Sequence, residues 1–153
     1  FKKKNLLLLI LEHITDPHNV GACIRTAAAA GVDAIIVPKN RSCHLTPTVR
    51  KISSGGAELI PFVVVTNIVR TINKLQSEGV MIYGTDMKAS KLHNEITYGD
   101  KSALIIGSED KGLKRLTLEN CDEIIKVNMP GRIESLNASV STGIMLFQMI
   151  NQQ

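Results

Sequence analysis

Three polar segments hold the side chains whose types and spacing could do chemistry. The first, residues 15–27, contains Asn19 and Arg25 and runs from Thr15-Asp16-Pro17 into an alanine-rich stretch. A guanidinium offers a planar fork of donors suited to phosphate or hydroxyl oxygens. Arg25 is therefore a candidate contact for a phosphate or a sugar hydroxyl. The plain alternative is a capping loop, with Asn19 as helix N-cap and Arg25 on a solvated face. The second segment is Gly107-Ser108-Glu109-Asp110-Lys111-Gly112-Leu113. It approaches a phosphate-binding P-loop, but Leu113 stands where that loop needs lysine, and Glu109 and Asp110 would repel phosphates, so a P-loop is rejected. Its glycines still allow close approach of backbone to a ligand; the alternative is a tight turn with a charged tip. The third segment, residues 128–141, includes Met129, Gly131, Ser135, Leu136 and Asn137. Ser135 could cap a following helix, whose free N–H groups would suit an anion. Asn137-Ala138-Ser139 is formally a glycosylation sequon, taken as chance without a secretory signal.

Each segment follows a short apolar, β-branched run. Strands are expected over residues 6–11, 34–37, 62–65, 80–84, 103–106 and 123–127. Their near-continuous apolar character points to burial on both faces, hence a parallel sheet. Helices are expected over 20–30, 47–53, 68–77, 117–120 and about 136–151. Thr46-Pro47 reads as an N-cap followed by proline at the first helical position. Gly31 and Gly79 read as helix stops. Alternating strands and helices make an α/β fold, in which ligands bind at the carboxyl ends of strands. The polar segments stand at such ends.

The 153 residues, with 44% apolar and 21% charged side chains, suit one globular domain over 1–153, without repeat or linker. No run approaches the roughly 18 apolar residues of a membrane span. The net charge of +4 fits an anionic partner, though many proteins without one are as basic. Cys23, Cys43 and Cys121 are odd in number and form no Cys-x-x-Cys, so they read as reduced thiols of a cytoplasmic protein. His13, His18, His44 and His93 lack zinc-site spacing, and no metal is expected. The chain begins Phe1-Lys2-Lys3-Lys4 without methionine and reads as a piece of something longer.

Taken together, the three segments resemble, in order and spacing, the motifs of the SpoU (TrmH-type, SPOUT class) RNA ribose 2′-O-methyltransferases. Asp16-Pro17-x-Asn19-x-Gly21-x-x-x-Arg25-x-Ala27 resembles the first motif, and Gly107-x-Glu109-x-x-Gly112 the second. Met129-x-Gly131-x-x-x-Ser135-Leu136-Asn137-x-Ser139 resembles the third. Residues 35–42 and Arg115-Leu116-Thr117 are most similar to the branch acting on a guanosine of 23S ribosomal RNA. Two positions depart from the pattern: Asn128 stands where proline usually precedes Met129, and Asp110 where glycine is common.

The resemblance implies a parallel-sheet α/β knot, with a deep trefoil in the C-terminal third. It implies S-adenosylmethionine as methyl donor, held mainly by backbone near Thr85, Gly107, Val127, Met129 and Leu136. It sets Arg25 against the ribose 2′-hydroxyl, with Asn19, Glu109, Ser135 and Asn137 shaping the pocket. Glu109 would hold Asn19 or Arg25; alternatively Glu109 and Asn137 only fix the loops. The partners implied are RNA rather than DNA and a second copy, the dimer burying the last helix around Ile144-Met145-Leu146-Phe147. A small N-terminal RNA-binding domain would lie outside this chain. Transfer RNA is the alternative substrate. A Rossmann dehydrogenase would need Gly-x-Gly-x-x-Gly where Thr15-Asp16-Pro17 stands. A non-catalytic RNA-binding module could dispense with Arg25, Glu109 or Asn137, and all are present.

Overall fold

The computed structural model describes residues 3–152. Strand β1 (Leu6–Glu12) is buried along its whole length. Side chains alternate across a strand, so Leu7, Leu9 and Leu11 enter one core and Leu6, Leu8 and Ile10 the other. Helices α1 (Pro17–Ala30) and α6 (Ala138–Asn151) cover the first core through Val20, Cys23, Ile24, Leu146 and Met149. Helix α4 (Ile68–Ser77) covers the second with Ile68, Ile72 and Leu75, spaced to lie on one helical face. Each such fully buried leucine or isoleucine stabilises the fold by about 1.5–3 kcal/mol. The continuous apolar runs are thus the requirement of a sheet sandwiched between helices.

The remaining elements are β2 (Ala34–Pro38), α2 (Pro47–Ile52), α3 (Gly56–Leu59), β3 (Phe62–Val65), β4 (Met81–Thr85), β5 (Lys91–Leu92), β6 (Lys101–Gly107), α5 (Arg115–Asn120) and β7 (Glu123–Lys126). Among the described residues the sheet has seven strands in the order β3-β2-β1-β6-β4-β7-β5. Every pairing is parallel. The chain leaves β1 toward β2 and β3, and its second half builds the other side of the sheet from β6 outward. The order therefore reverses between β1 and β6, the place where ligands gather in open α/β sheets.

The α/β reading and its parallel sheet hold, with local corrections. Asp16, not Asn19, caps α1: its Oδ1 accepts the N–H of His18 at 2.9 Å. Pro17 follows at the first helical position, where its missing N–H costs nothing, so the helix starts before Asn19. Asn137, not Ser135, caps α6, its Oδ1 accepting from Ser139 N at 2.9 Å, and the helix begins at Ala138. Thr46 caps α2 as expected, and Gly31 ends α1 in the left-handed conformation. Gly79 follows α4 at φ +85°. The expected helix over 117–120 starts earlier, at Arg115. Helix α3 and strand β5 were not expected; four and two residues are too short to show a period.

Candidate functional site

Because the strands are parallel, β4, β6 and β7 end on the same side, next to one another in the sheet. A cleft of about 770 Å³ opens there. Thr85, Gly107, Val127, Met129 and Leu136 all line it, so the five residues expected at a cofactor converge. Thr85 is half-buried and donates its hydroxyl to the carbonyl of Ile105 at 3.0 Å, which pins the end of β4 to β6. Gly107 is required by close packing: a Cβ there would lie 2.5 Å from the Gly112 carbonyl carbon. The loop can fold back in this way because Gly112 adopts φ +64° and its N–H reaches the Ser108 carbonyl at 2.8 Å. The charged tip carried by that turn includes Glu109.

Glu109 stands on the cleft wall. Its Oε1 accepts the backbone N–H of Ala138 at 2.9 Å and the amide of Asn19 at 3.4 Å. One carboxylate oxygen therefore joins the first turns of α1 and α6, both electropositive helix ends. Of the two partners considered for Glu109, Asn19 is the one observed. Ser135 is exposed on the cleft wall. Asn137 uses its Oδ1 to cap α6, accepting from both the N–H and the hydroxyl of Ser139. Its observed contacts are those of loop fixation.

Arg25 is not brought to the cleft of its own chain. It is exposed and forms no ion pair or hydrogen bond among the described residues. Helix α1 instead packs on α6 through Cys23 and Thr26, which meet Thr142 and Gly143. Exposed Val140, Ile144 and Phe147 form an apolar stripe on α6. Met145 and Leu146, expected at a subunit interface, are 3% and 0% exposed and belong to the core of the protomer itself. Helical spacing explains the split: residues 140, 144 and 147 share a face, and 145 and 146 turn away from it.

Sequence reasoning missed Ala138, Ser141 and Met145, which line the cleft from α6. Their spacing of three and seven residues is a helical face; the start of α6 at Ala138 would have revealed it. It also missed Asp86 and Lys126, which line the cleft where β4 and β7 end. Among the described residues no group of histidine, cysteine or carboxylate side chains could hold a metal ion. No helix of the described residues is long and apolar enough to cross a membrane.

Residues 6–147 match the sequence profile of the SpoU rRNA Methylase family. The chain is 49% identical over 147 residues to the 23S rRNA (guanosine-2′-O-)-methyltransferase RlmB of Pseudomonas aeruginosa. That match covers 96% of this chain and 59% of the relative, so the chain spans about three-fifths of the length of the curated relatives it matches. The fold is similar to that of the SpoU methyltransferase AviRb from Streptomyces viridochromogenes, with a TM-score of 0.91 at 24% identity. The superposition covers 98% of this chain and 60% of that one. An AdoMet-bound rRNA methyltransferase from Sinorhizobium meliloti gives 0.90 at 27% identity, over 97% of this chain and 57% of that one.

Proposed function

The chain belongs to the SpoU rRNA Methylase family, and on that premise we propose that it is the methyl-transfer domain of an RNA ribose 2′-O-methyltransferase. The methyl donor is S-adenosylmethionine and the acceptor a guanosine of 23S ribosomal RNA. The observation that carries this reading is the convergence of Thr85, Gly107, Val127, Met129 and Leu136 on one cleft, with Glu109 and Ser135 on its wall. The cleft fits the donor: its volume of about 770 Å³ lies in the usual range for cofactor pockets, and Ile106, Ile125 and Met145 add apolar wall.

Bound there, S-adenosylmethionine supplies a methyl that is already electrophilic. The protein's work is to hold the 2′-oxygen in line and to stabilise charge as its proton passes to solvent water. Glu109 fixes the cleft rim by holding α6 and Asn19. Ser135 supplies a hydroxyl at the wall. Arg25 is effectively never deprotonated, so its role is to stabilise the developing alkoxide rather than to act as base.

The protein works as a homodimer in this reading. Arg25 is exposed on α1, and α6, on which α1 packs, carries the exposed stripe of Val140, Ile144 and Phe147. Joining two copies would bury that stripe, and Arg25, away from the cleft of its own chain, serves the cleft of the second copy in this reading. The trefoil knot, a separate RNA-binding domain and a cytoplasmic location with ribosomal RNA belong to the same proposal. They follow from the family match.

The test uses the full-length protein. S-adenosylmethionine should bind in calorimetry and NAD should not. Labelled methyl should enter a 23S fragment and not transfer RNA. Tight NAD binding without S-adenosylmethionine binding would end the proposal; methylation of transfer RNA alone would move its substrate.

A further inference from the structure

A second cavity of about 280 Å³ adjoins the cleft. It is lined by His13, Thr15, Asp16 and Asn19 from the loop after β1 and the start of α1. Ser108, Glu109, Asp110 and Ala138 line both hollows, so Glu109 and Ala138 form part of the wall between them. The small cavity thus lies between the ends of β1 and β6, where the strand order reverses. It has several times the roughly 30 Å³ of one liquid water, room for a planar heterocycle. We infer that this cavity receives the base of the target nucleotide, and that Asp16 selects guanine while His13 forms part of the wall.

The donor and acceptor inventory supports guanine. Asp16 uses Oδ1 to cap α1, and its Oδ2 has no partner among the described residues. That leaves an exposed carboxylate oxygen, an acceptor only. The Nδ1 of His13 is buried without a hydrogen-bond partner. His13 also holds φ 56°, a left-handed backbone that is uncommon for residues other than glycine. The free carboxylate oxygen of Asp16 matches the Watson–Crick edge of guanine, where N1–H and the exocyclic amine donate side by side. Adenine offers one donor, its amine, beside a bare N1 that a carboxylate repels. A base seated here leaves its ribose at the shared wall, facing the cleft.

This inference rests on the reading that the larger cleft holds the methyl donor, and the experiment separates the two. Full-length protein is assayed on matched RNA carrying guanosine, inosine or adenosine at the target position. Binding of S-adenosylmethionine and melting temperature are measured alongside. Asp16→Asn keeps an N-cap side chain while replacing a carboxylate oxygen with a donor amide. His13→Asn tolerates the left-handed backbone but loses the ring. Wild type should prefer guanosine to adenosine by a hundredfold or more, on the order expected when a site's polar groups are left unpaired. Inosine, lacking only the amine, should fall between. Each variant should lose about ten- to hundredfold in kcat/KM on guanosine RNA. In Asp16→Asn the guanosine-to-adenosine ratio should shrink as well, and affinity for the donor should hold in both. Unchanged discrimination in Asp16→Asn, with normal donor binding, overturns the inference and leaves the methyltransferase intact. A wild type that binds no S-adenosylmethionine and methylates none of the three RNAs overturns both.

Discussion

Glu109 accepts the N–H of Ala138 at 2.9 Å and so ties the loop after β6 to the first turn of α6, 29 residues further along the chain. The same oxygen holds Asn19 at 3.4 Å. One carboxylate oxygen therefore links the cleft rim to both helix starts. Glu109→Ala removes an anion from two helix N-termini and should cost about 0.5–2 kcal/mol in urea unfolding. Glu109→Gln, which retains a hydrogen-bond acceptor, should cost less. Donor affinity should weaken on the order of tenfold in the alanine variant, or about 1.4 kcal/mol. Wild-type affinity there would show that the cleft does not depend on this link.

Arg25→Ala should lower methyl transfer by on the order of a hundredfold or more, as does loss of a preorganised transition-state contact. Arg25→Lys keeps charge without the fork and should not restore it. Because Arg25 is exposed and forms no contact on the cleft of its own chain, melting temperature and donor affinity should stay near wild type. Subunit mixing checks delivery between copies. Gly107→Val closes the cleft against Gly112, and Arg25→Ala leaves it open. Exchanged one to one, the two inactive variants should regain about a quarter of wild-type activity, since half the dimers are mixed and each has one complete site. No recovery means that Arg25 serves its own chain or none.

Phe147 and Ile144 are 40% and 37% exposed on the same helical face as Val140. Phe147→Glu or Ile144→Glu should convert a dimer to monomer in sedimentation at micromolar concentration, because homodimer interfaces exclude charge from their centre. Activity should fall in parallel while the protomer stays folded. A wild-type monomer at that concentration would contradict the interface.

Burial pushes the Cys23 thiol up to about 11, partly opposed by its contact with Thr142. Burial also raises Cys121 to about 12, with Asp122 and Glu12 adding to the effect. The reactive species is the thiolate, so alkylation at pH 8 should spare both and reach the more open Cys43 first, although its pKa too is raised. A raised folded-state value stabilises the protein fully below the ordinary thiol value of 9.0 and loses that contribution as pH climbs through about 11. Cys23→Ala should therefore flatten the fall in melting temperature over that window. An unchanged alkaline profile would place the loss elsewhere.

Much of the fold is legible in the amino-acid sequence. The run from Leu6 to Leu11 has the character of a strand covered on both faces, and the structure buries every residue of it. Asp16-Pro17 and Thr46-Pro47 mark helix starts by local chemistry alone, although at the first of these the cap is Asp16 and not the expected Asn19. The motif glycines also carry their reason locally, since a turn as tight as the one at Gly112 disfavours a side chain.

Which residues meet was decided by the tertiary structure. Thr85, Gly107 and Val127 come together only because β4, β6 and β7 are adjacent and parallel. Strand order is a long-range property that no period in the chain encodes. Asn19 and Glu109 stand 90 residues apart and meet across β1 and β6. Spacing put Arg25 with the other motif residues, yet the direction of α1 turns it to solvent, away from the cleft its motif partners build. Residue types and local order named the chemistry available, because capping, turns and apolar runs act over a few residues. The packing of α1 on α6, and the register of seven strands, determined which of those groups share a site.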